Sequence, residues 1–205
     1  MNVKKIAIFA SGSGTNAENI MEYFADNELV KIDSLWSNNP NAYALKRAET
    51  RGIETLVFSR EEFYHSEELL EKLKKRGIDL IVLAGFLWLI PDYLIRNFTI
   101  INIHPALLPK YGGKGMYGMN VHKAVVNNKE TETGITIHYV NEKYDEGQII
   151  FQAKCEVSEN DTPEDVAEKV HNLEYKYFPG VIEEVLSPLT PKGGIRRFKM
   201  KKVKS

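Results

Sequence analysis

Five short apolar runs, at residues 4–10, 30–36, 54–58, 79–83 and 99–103, alternate with stretches whose apolar residues recur at helical spacing. Residues 17–24 put Ile20, Met21 and Phe24 on one helical face, and residues 42–51 read as a second helix ended by Gly52. Ser59, with Glu62 three residues on, opens a helix to Arg76 that Gly77 closes. A short helix over 91–96 leads to the fifth run. Strands alternating with helices at this spacing pair in parallel through right-handed crossovers. The expected architecture is a Rossmann-like, mostly parallel twisted α/β sheet with helices on both faces.

Beyond Pro105 the pattern changes. Residues 110–118 are glycine-rich and residues 122–127 look helical. Residues 133–140 and 148–157 read as an antiparallel strand pair joined by 141–147, and a long amphipathic helix runs from a Thr162 cap to Leu186. One domain over residues 1–187 is expected. Residues 188–205 carry seven Lys or Arg and no acid, which predicts a solvated basic tail.

A formal charge of -1 over 205 residues gives no whole-chain case for nucleic acid or membrane binding. Cys155 is the only cysteine, so an internal disulfide and a cysteine metal cluster are both excluded. No His or Cys spacing resembles a metal site, and no metal is expected. No apolar stretch reaches the roughly 18 residues that span a bilayer. Met1 runs almost directly into the first strand, without the pattern of a signal peptide, and a cytoplasmic location is expected.

Two segments carry chemistry. Ser11-Gly12-Ser13-Gly14-Thr15-Asn16 joins the first strand to the first helix. Its glycines let backbone amides converge at a helix N-terminus, where an anion is favoured. The second strand ends Trp36-Ser37-Asn38-Asn39, without the acid that a dinucleotide's ribose requires, so a mononucleotide phosphate fits better. The second segment is Asn102-Ile103-His104-Pro105. Proline has no amide proton and disfavours helix before it, so Asn102 and His104 fall at a strand's carboxyl end, two apart and on one side. An amide that can donate to an oxyanion beside an imidazole that can move a proton suits acyl transfer. His138 lies in a later strand, and Asp145 follows it. On local sequence Asp145 reads as a turn residue before a glycine; its functional reading is the carboxylate that orients His104 and raises its pKa.

Taken in order, Ser11 to Asn16, Ala84-Gly85-Phe86, Asn102-Ile103-His104-Pro105-Ala106-Leu107-Leu108-Pro109, Gly134-Ile135-Thr136 and Asp145-x-Gly147-x-Ile149-Ile150 resemble the phosphoribosylglycinamide formyltransferase family over roughly residues 4–186. The resemblance implies direct transfer of the formyl group of 10-formyltetrahydrofolate to the amine of glycinamide ribonucleotide in purine synthesis. It implies a catalytic trio of Asn102, His104 and Asp145. Ser13, Gly14, Thr15, Asn16 and Glu174 would hold the ribonucleotide. Arg60, Leu87, Trp88, Leu89, Ile90, Asn102, Val140, Asn141 and Asp145 would face the folate. Residues 1–100 would then form a phosphate-binding half, and 101–187 a catalytic and folate-binding half. The partners implied are these two small molecules, with no nucleic acid or membrane, in a monomer or homodimer.

The chain departs from the family at Trp88, where arginine is frequent, and in residues 112–120, a glycine-rich connection longer than usual that reads as either a lid or a surface turn. His122 lies near the site in sequence order without an assigned role; His65 and His171 read as solvated helix residues, with His171 one turn before Glu174. The enzyme alternatives are formyl transfer to a sugar nucleotide or methionyl-tRNA, and formyltetrahydrofolate deformylation. The non-enzyme alternative is a nucleotide- or folate-binding module.

Overall fold

The computed structural model describes residues 2–187; the basic tail expected over 188–205 lies outside the described residues. Strands β1 (Lys4–Phe9), β2 (Val30–Ser37), β3 (Glu54–Val57), β4 (Leu80–Leu83), β5 (Thr99–His104), β6 (Glu132–Tyr139) and β7 (Ile149–Glu156) form one sheet in the order β3-β2-β1-β4-β5-β6-β7. The first five pair in parallel, whereas β6 and β7 run antiparallel to their neighbours.

The alternation of each strand explains the layers. Ile6 and Ile8 face a cluster built with α1 (Thr15–Tyr23), α2 (Tyr43–Glu49), α6 (Met119–Asn127) and α7 (Pro163–Leu186). Ala7 and Phe9 face the other side, packing with α3 (Arg60–His65), α4 (Glu68–Arg76) and α5 (Asp92–Asn97). Both faces of the central strands are therefore dry, which is why β4 reads as a continuous apolar run with all four residues buried.

One expected helix is two. Ser59 and Glu62 do make reciprocal capping bonds, but α3 ends at His65. Ser66 adopts extended angles, and its hydroxyl accepts from the Glu68 N–H, so the same residue that stops α3 starts α4. A second difference lies at α6, which begins at Met119, three residues before His122.

The order of the strands fixes where a ligand can sit. From β1 the chain moves outward to β2 and β3, then returns to β4 on the other side of β1. The loops leaving the carboxyl ends of β1 and β4 diverge and open a crevice at that switch point. Hydrogen bonds tie the two loops together: the Ser11 N–H donates to the Gly85 carbonyl, and the Leu87 N–H donates to the Ser11 hydroxyl oxygen at 3.1 Å.

Candidate active site

A cavity of about 650 Å³ opens along this edge. One end is the turn from β1 into α1. Gly14 caps α1 with φ of 74°, and a Cβ there would lie 2.4 Å from the Ala44 Cβ, so both the dihedral and the packing demand glycine. No side chain caps the helix. Its first-turn N–H groups are therefore left without a side-chain partner, at a turn whose Ser13, Gly14, Thr15 and Asn16 form the cavity wall.

Opposite this turn, α7 packs against α1 and buries Glu174 to 5% exposure. Asn16 Nδ2 donates to Glu174 Oε2 at 2.8 Å. Burial raises the Glu174 pKa to about 7, against the opposing pull of the Asn16 hydrogen bond. The Asn16 Oδ1 is buried without a partner. A buried carboxyl beside an unpartnered amide oxygen is a receptor for hydroxyl or N–H donors.

At the other end of the cavity, β5 delivers Asn102 and His104 to one side, as the proline at 105 implies. Thr136 secures the exit: its hydroxyl accepts from the Leu108 N–H and donates to the Ala106 carbonyl. His104 is 3% exposed. Its Nε2 lies 2.8 Å from the Tyr111 carbonyl, which can only accept, so Nε2 carries a proton. Nδ1 faces Asp145 Oδ2 at 3.5 Å and is the nitrogen left to exchange a proton.

Asp145 reaches this point from the β6–β7 loop. Its φ of 57° is a left-handed turn conformation, and a Cβ on Gly147 would lie 1.6 Å from the Tyr139 carbonyl oxygen. The loop folds back on β6 so closely that only glycine fits. Asp145 is thus both the turn residue of its local reading and a carboxylate facing the cavity. The Gly113 N–H donates to its Oδ2 at 2.9 Å. Burial pushes the Asp145 pKa up, but hydrogen bonding and charge from His138, His104 and the Gly113 amide outweigh it and the net shift is downward.

The His104 pKa shifts down, not up as the neighbouring carboxylate implied. Burial disfavours the imidazolium more than the Asp145 charge and the Tyr111 hydrogen bond favour it, so the His104 pKa is lowered.

Between the two ends lies an apolar wall. Leu87, Trp88, Leu89, Ile90 and Val140 line the cavity, with the loop after β4 facing the start of the β6–β7 loop. Two residues expected beside them stand apart. Arg60 is not in the lining; its guanidinium lies over the rings of Tyr64 and Trp88, 5.1 and 5.6 Å from their centroids. Asn141 turns into its own loop, where its Oδ1 accepts from the Lys143 N–H. The glycine-rich residues 113–118 also border the cavity, with positive φ at Gly113, Gly115 and Gly118.

Three histidines gain a place that local sequence did not assign. His138 pairs across the sheet with Asn102 and faces Asp145 Oδ1 at 3.6 Å. His122, on α6, is 1% exposed, and burial lowers its pKa to about 4 with smaller contributions from His171 and His104. His171 borders the cavity as well, its ring 6.3 Å from that of His122. The signal for His138 was its position in a strand destined to pair with β5, which requires the register. Cys155 sits half-buried on β7, outside the lining, with its thiol pKa raised by burial. Among the described residues no group of side chains suits a metal ion, and no helix is long and apolar enough to cross a membrane.

Residues 4–182 match the formyl transferase family. The phosphoribosylglycinamide formyltransferase of Bacillus subtilis is 36% identical over 191 residues, covering 90% of this chain and 95% of that protein. A chloroplastic phosphoribosylglycinamide formyltransferase from Arabidopsis thaliana is 42% identical over 187 residues, 87% of this chain; the chain spans only 64% of that relative's length. Glycinamide ribonucleotide transformylase 1 from Geobacillus kaustophilus has a crystal structure that superposes with a TM-score of 0.81 at 33% identity, covering 91% of this chain and all of the other.

Proposed function

The chain belongs to the formyl transferase family, and from that membership and the site we propose that it transfers the formyl group of 10-formyltetrahydrofolate to the amine of glycinamide ribonucleotide. The carrying observation is one cavity that holds His104 and Asp145 within 3.5 Å at one end and the Gly14 turn at the other. Such a cavity suits a phosphorylated acceptor lying lengthwise, with its nucleophile at the paired acid and base.

The backbone amides after Gly14, together with Ser13, Thr15 and Asn16, hold the phosphate at the N-terminus of α1. Glu174 accepts from the ribose hydroxyls, with Asn16 keeping its carboxyl in place. Leu87, Trp88, Leu89, Ile90 and Val140 form the slot for the flat pterin, and the volume of about 650 Å³ lies within the range of ligand sites. Asp145 supplies a polar group from the facing loop. Arg60, stacked on Trp88, puts a positive charge beside the slot for the acidic tail of the folate.

At the reacting centre, Asn102 donates from Nδ2 to the formyl oxygen as negative charge grows there. His104, when protonated at Nδ1, adds its positive charge. Asp145, directly or through a water, accepts the proton released by the attacking amine, and His104 Nδ1 carries it toward the departing folate nitrogen. Formyl carbon to amine nitrogen is the bond made, and formyl carbon to folate nitrogen is the bond broken, so no covalent enzyme intermediate arises.

The direct test supplies both substrates and follows absorbance as the folate is deformylated. Transfer predicts turnover only when glycinamide ribonucleotide is present. Equal turnover without the ribonucleotide indicates hydrolysis and contradicts the proposal.

A further inference from the structure

The Asn102 carboxamide has two ends of opposite character. Turned one way it offers an N–H to a developing oxyanion; turned the other it offers a carbonyl oxygen that repels one. Nothing about Asn102 alone selects between them, and its side chain is only part-buried.

His138 makes the selection. It stands opposite Asn102 in the antiparallel register of β5 and β6 and is 2% exposed. Its Nδ1 lies 2.9 Å from the Tyr139 carbonyl oxygen, which only accepts, so the proton of the neutral ring resides on Nδ1. Its Nε2 then carries a lone pair. That lone pair lies 3.2 Å from Asn102 Nδ2 and accepts one of its two protons. A carbonyl oxygen turned toward the lone pair would be repelled, so the carboxamide is held with Nδ2 inward and its second proton free for the substrate. The turn packs close to the ring: a Cβ on Gly147 would approach His138 Nδ1 to 3.3 Å as well as the Tyr139 carbonyl.

We propose that His138 is a positioning residue that fixes the Asn102 carboxamide as a hydrogen-bond donor to the reacting formyl oxygen. This rests on the formyl-transfer reading for the identity of that oxygen, but the orientation itself does not. Asp145 Oδ1, 3.6 Å from the same Nε2, is the competing neighbour: the hydrogen bond from His138 that helps lower the Asp145 pKa forms only when the ring takes a second proton, and the neutral ring turns its lone pair to Asn102 instead.

Two experiments on the full chain test this. Long-range proton–nitrogen NMR reads which nitrogen of each histidine is protonated. Nδ1–H with a bare, hydrogen-bonded Nε2 is expected for His138, and Nε2–H overturns the proposal whether or not the chain transfers formyl groups. In kinetics, His138→Leu is expected to lower kcat about 10- to 100-fold, a fraction of what losing an oxyanion donor outright can cost. Both KM values should stay within about threefold, since the lost interaction belongs to the transition state. His138→Gln, whose Oε1 can accept where Nε2 did, is expected to recover most of kcat. Wild-type turnover in the leucine variant, or a glutamine variant as slow as leucine, overturns the proposal. If the leucine variant does not fold, the NMR tautomer decides. A correct tautomer in a chain that transfers no formyl group defeats the proposed reaction and leaves the orientation standing.

Discussion

The backbone N–H of Gly113 donates to Asp145 Oδ2 at 2.9 Å, on the carboxylate oxygen that faces His104. Two residues earlier, the Tyr111 carbonyl holds the far nitrogen of the same imidazole at 2.8 Å. His104 and Asp145 are therefore both anchored on one short stretch of backbone. The glycine-rich connection borders the cavity and also sets the distance between the two groups proposed to exchange a proton.

Substitution at Gly112 tests that coupling. A Cβ there would lie 2.7 Å from Leu108 Cδ2 and 3.2 Å from Asp145 Cβ. Gly112→Ala should displace Asp145 and lower kcat on the order of 10-fold or more, as small misplacements of catalytic groups do. Steady-state kinetics should show KM for the ribonucleotide much less affected, because the turn at Gly14, proposed to hold the phosphate, is at the other end of the cavity.

At that other end, Gly14→Val should have the opposite signature. The new side chain meets Ala44 and forces a left-handed dihedral on a β-branched residue. A loss of about 1–3 kcal/mol in stability is expected from that strain. In variants that remain folded, KM for the ribonucleotide should rise far more than KM for the folate. Equal rises would argue against a phosphate site at this turn.

Glu174 makes stability depend on pH. Its folded pKa of about 7 lies above the ordinary carboxyl value of 4.5, so the folded state holds its proton longer than the unfolded chain does. Stability from this group is full below the unfolded value and is lost as pH rises through about 7. The full swing is on the order of 3 kcal/mol. Glu174→Gln removes it. Urea unfolding should therefore find the variant gaining on the wild type between pH 4.5 and pH 8, while its affinity for the ribonucleotide falls.

Much of the fold was legible because local chemistry dictated it. Pro105 ends β5 immediately after His104, and the Ser59–Glu62 pair caps α3 with both bonds formed. What was hidden depends on distant residues. Ser66 serves a new helix rather than the old one only because its hydroxyl finds the Glu68 amide. Glu174 looks like one more charge on a long helix until α7 packs on α1. The direction of the His104 shift required knowing how deeply the ring is buried, which the nearness of an aspartate cannot supply. His138 needed the antiparallel register, since no spacing along the chain connects it to Asn102.

The carboxylate opposite His104 is the centre of the account, and Asp145→Asn isolates it: the side chain keeps its shape and loses its charge and basicity. The decisive measurement is the single-turnover rate of formyl transfer at saturating concentrations of both substrates. A fall on the order of 100-fold or more is expected for a lost proton acceptor, with ribonucleotide binding unchanged. A rate close to that of the wild type would contradict the assignment of His104 and Asp145 as the pair that moves the proton.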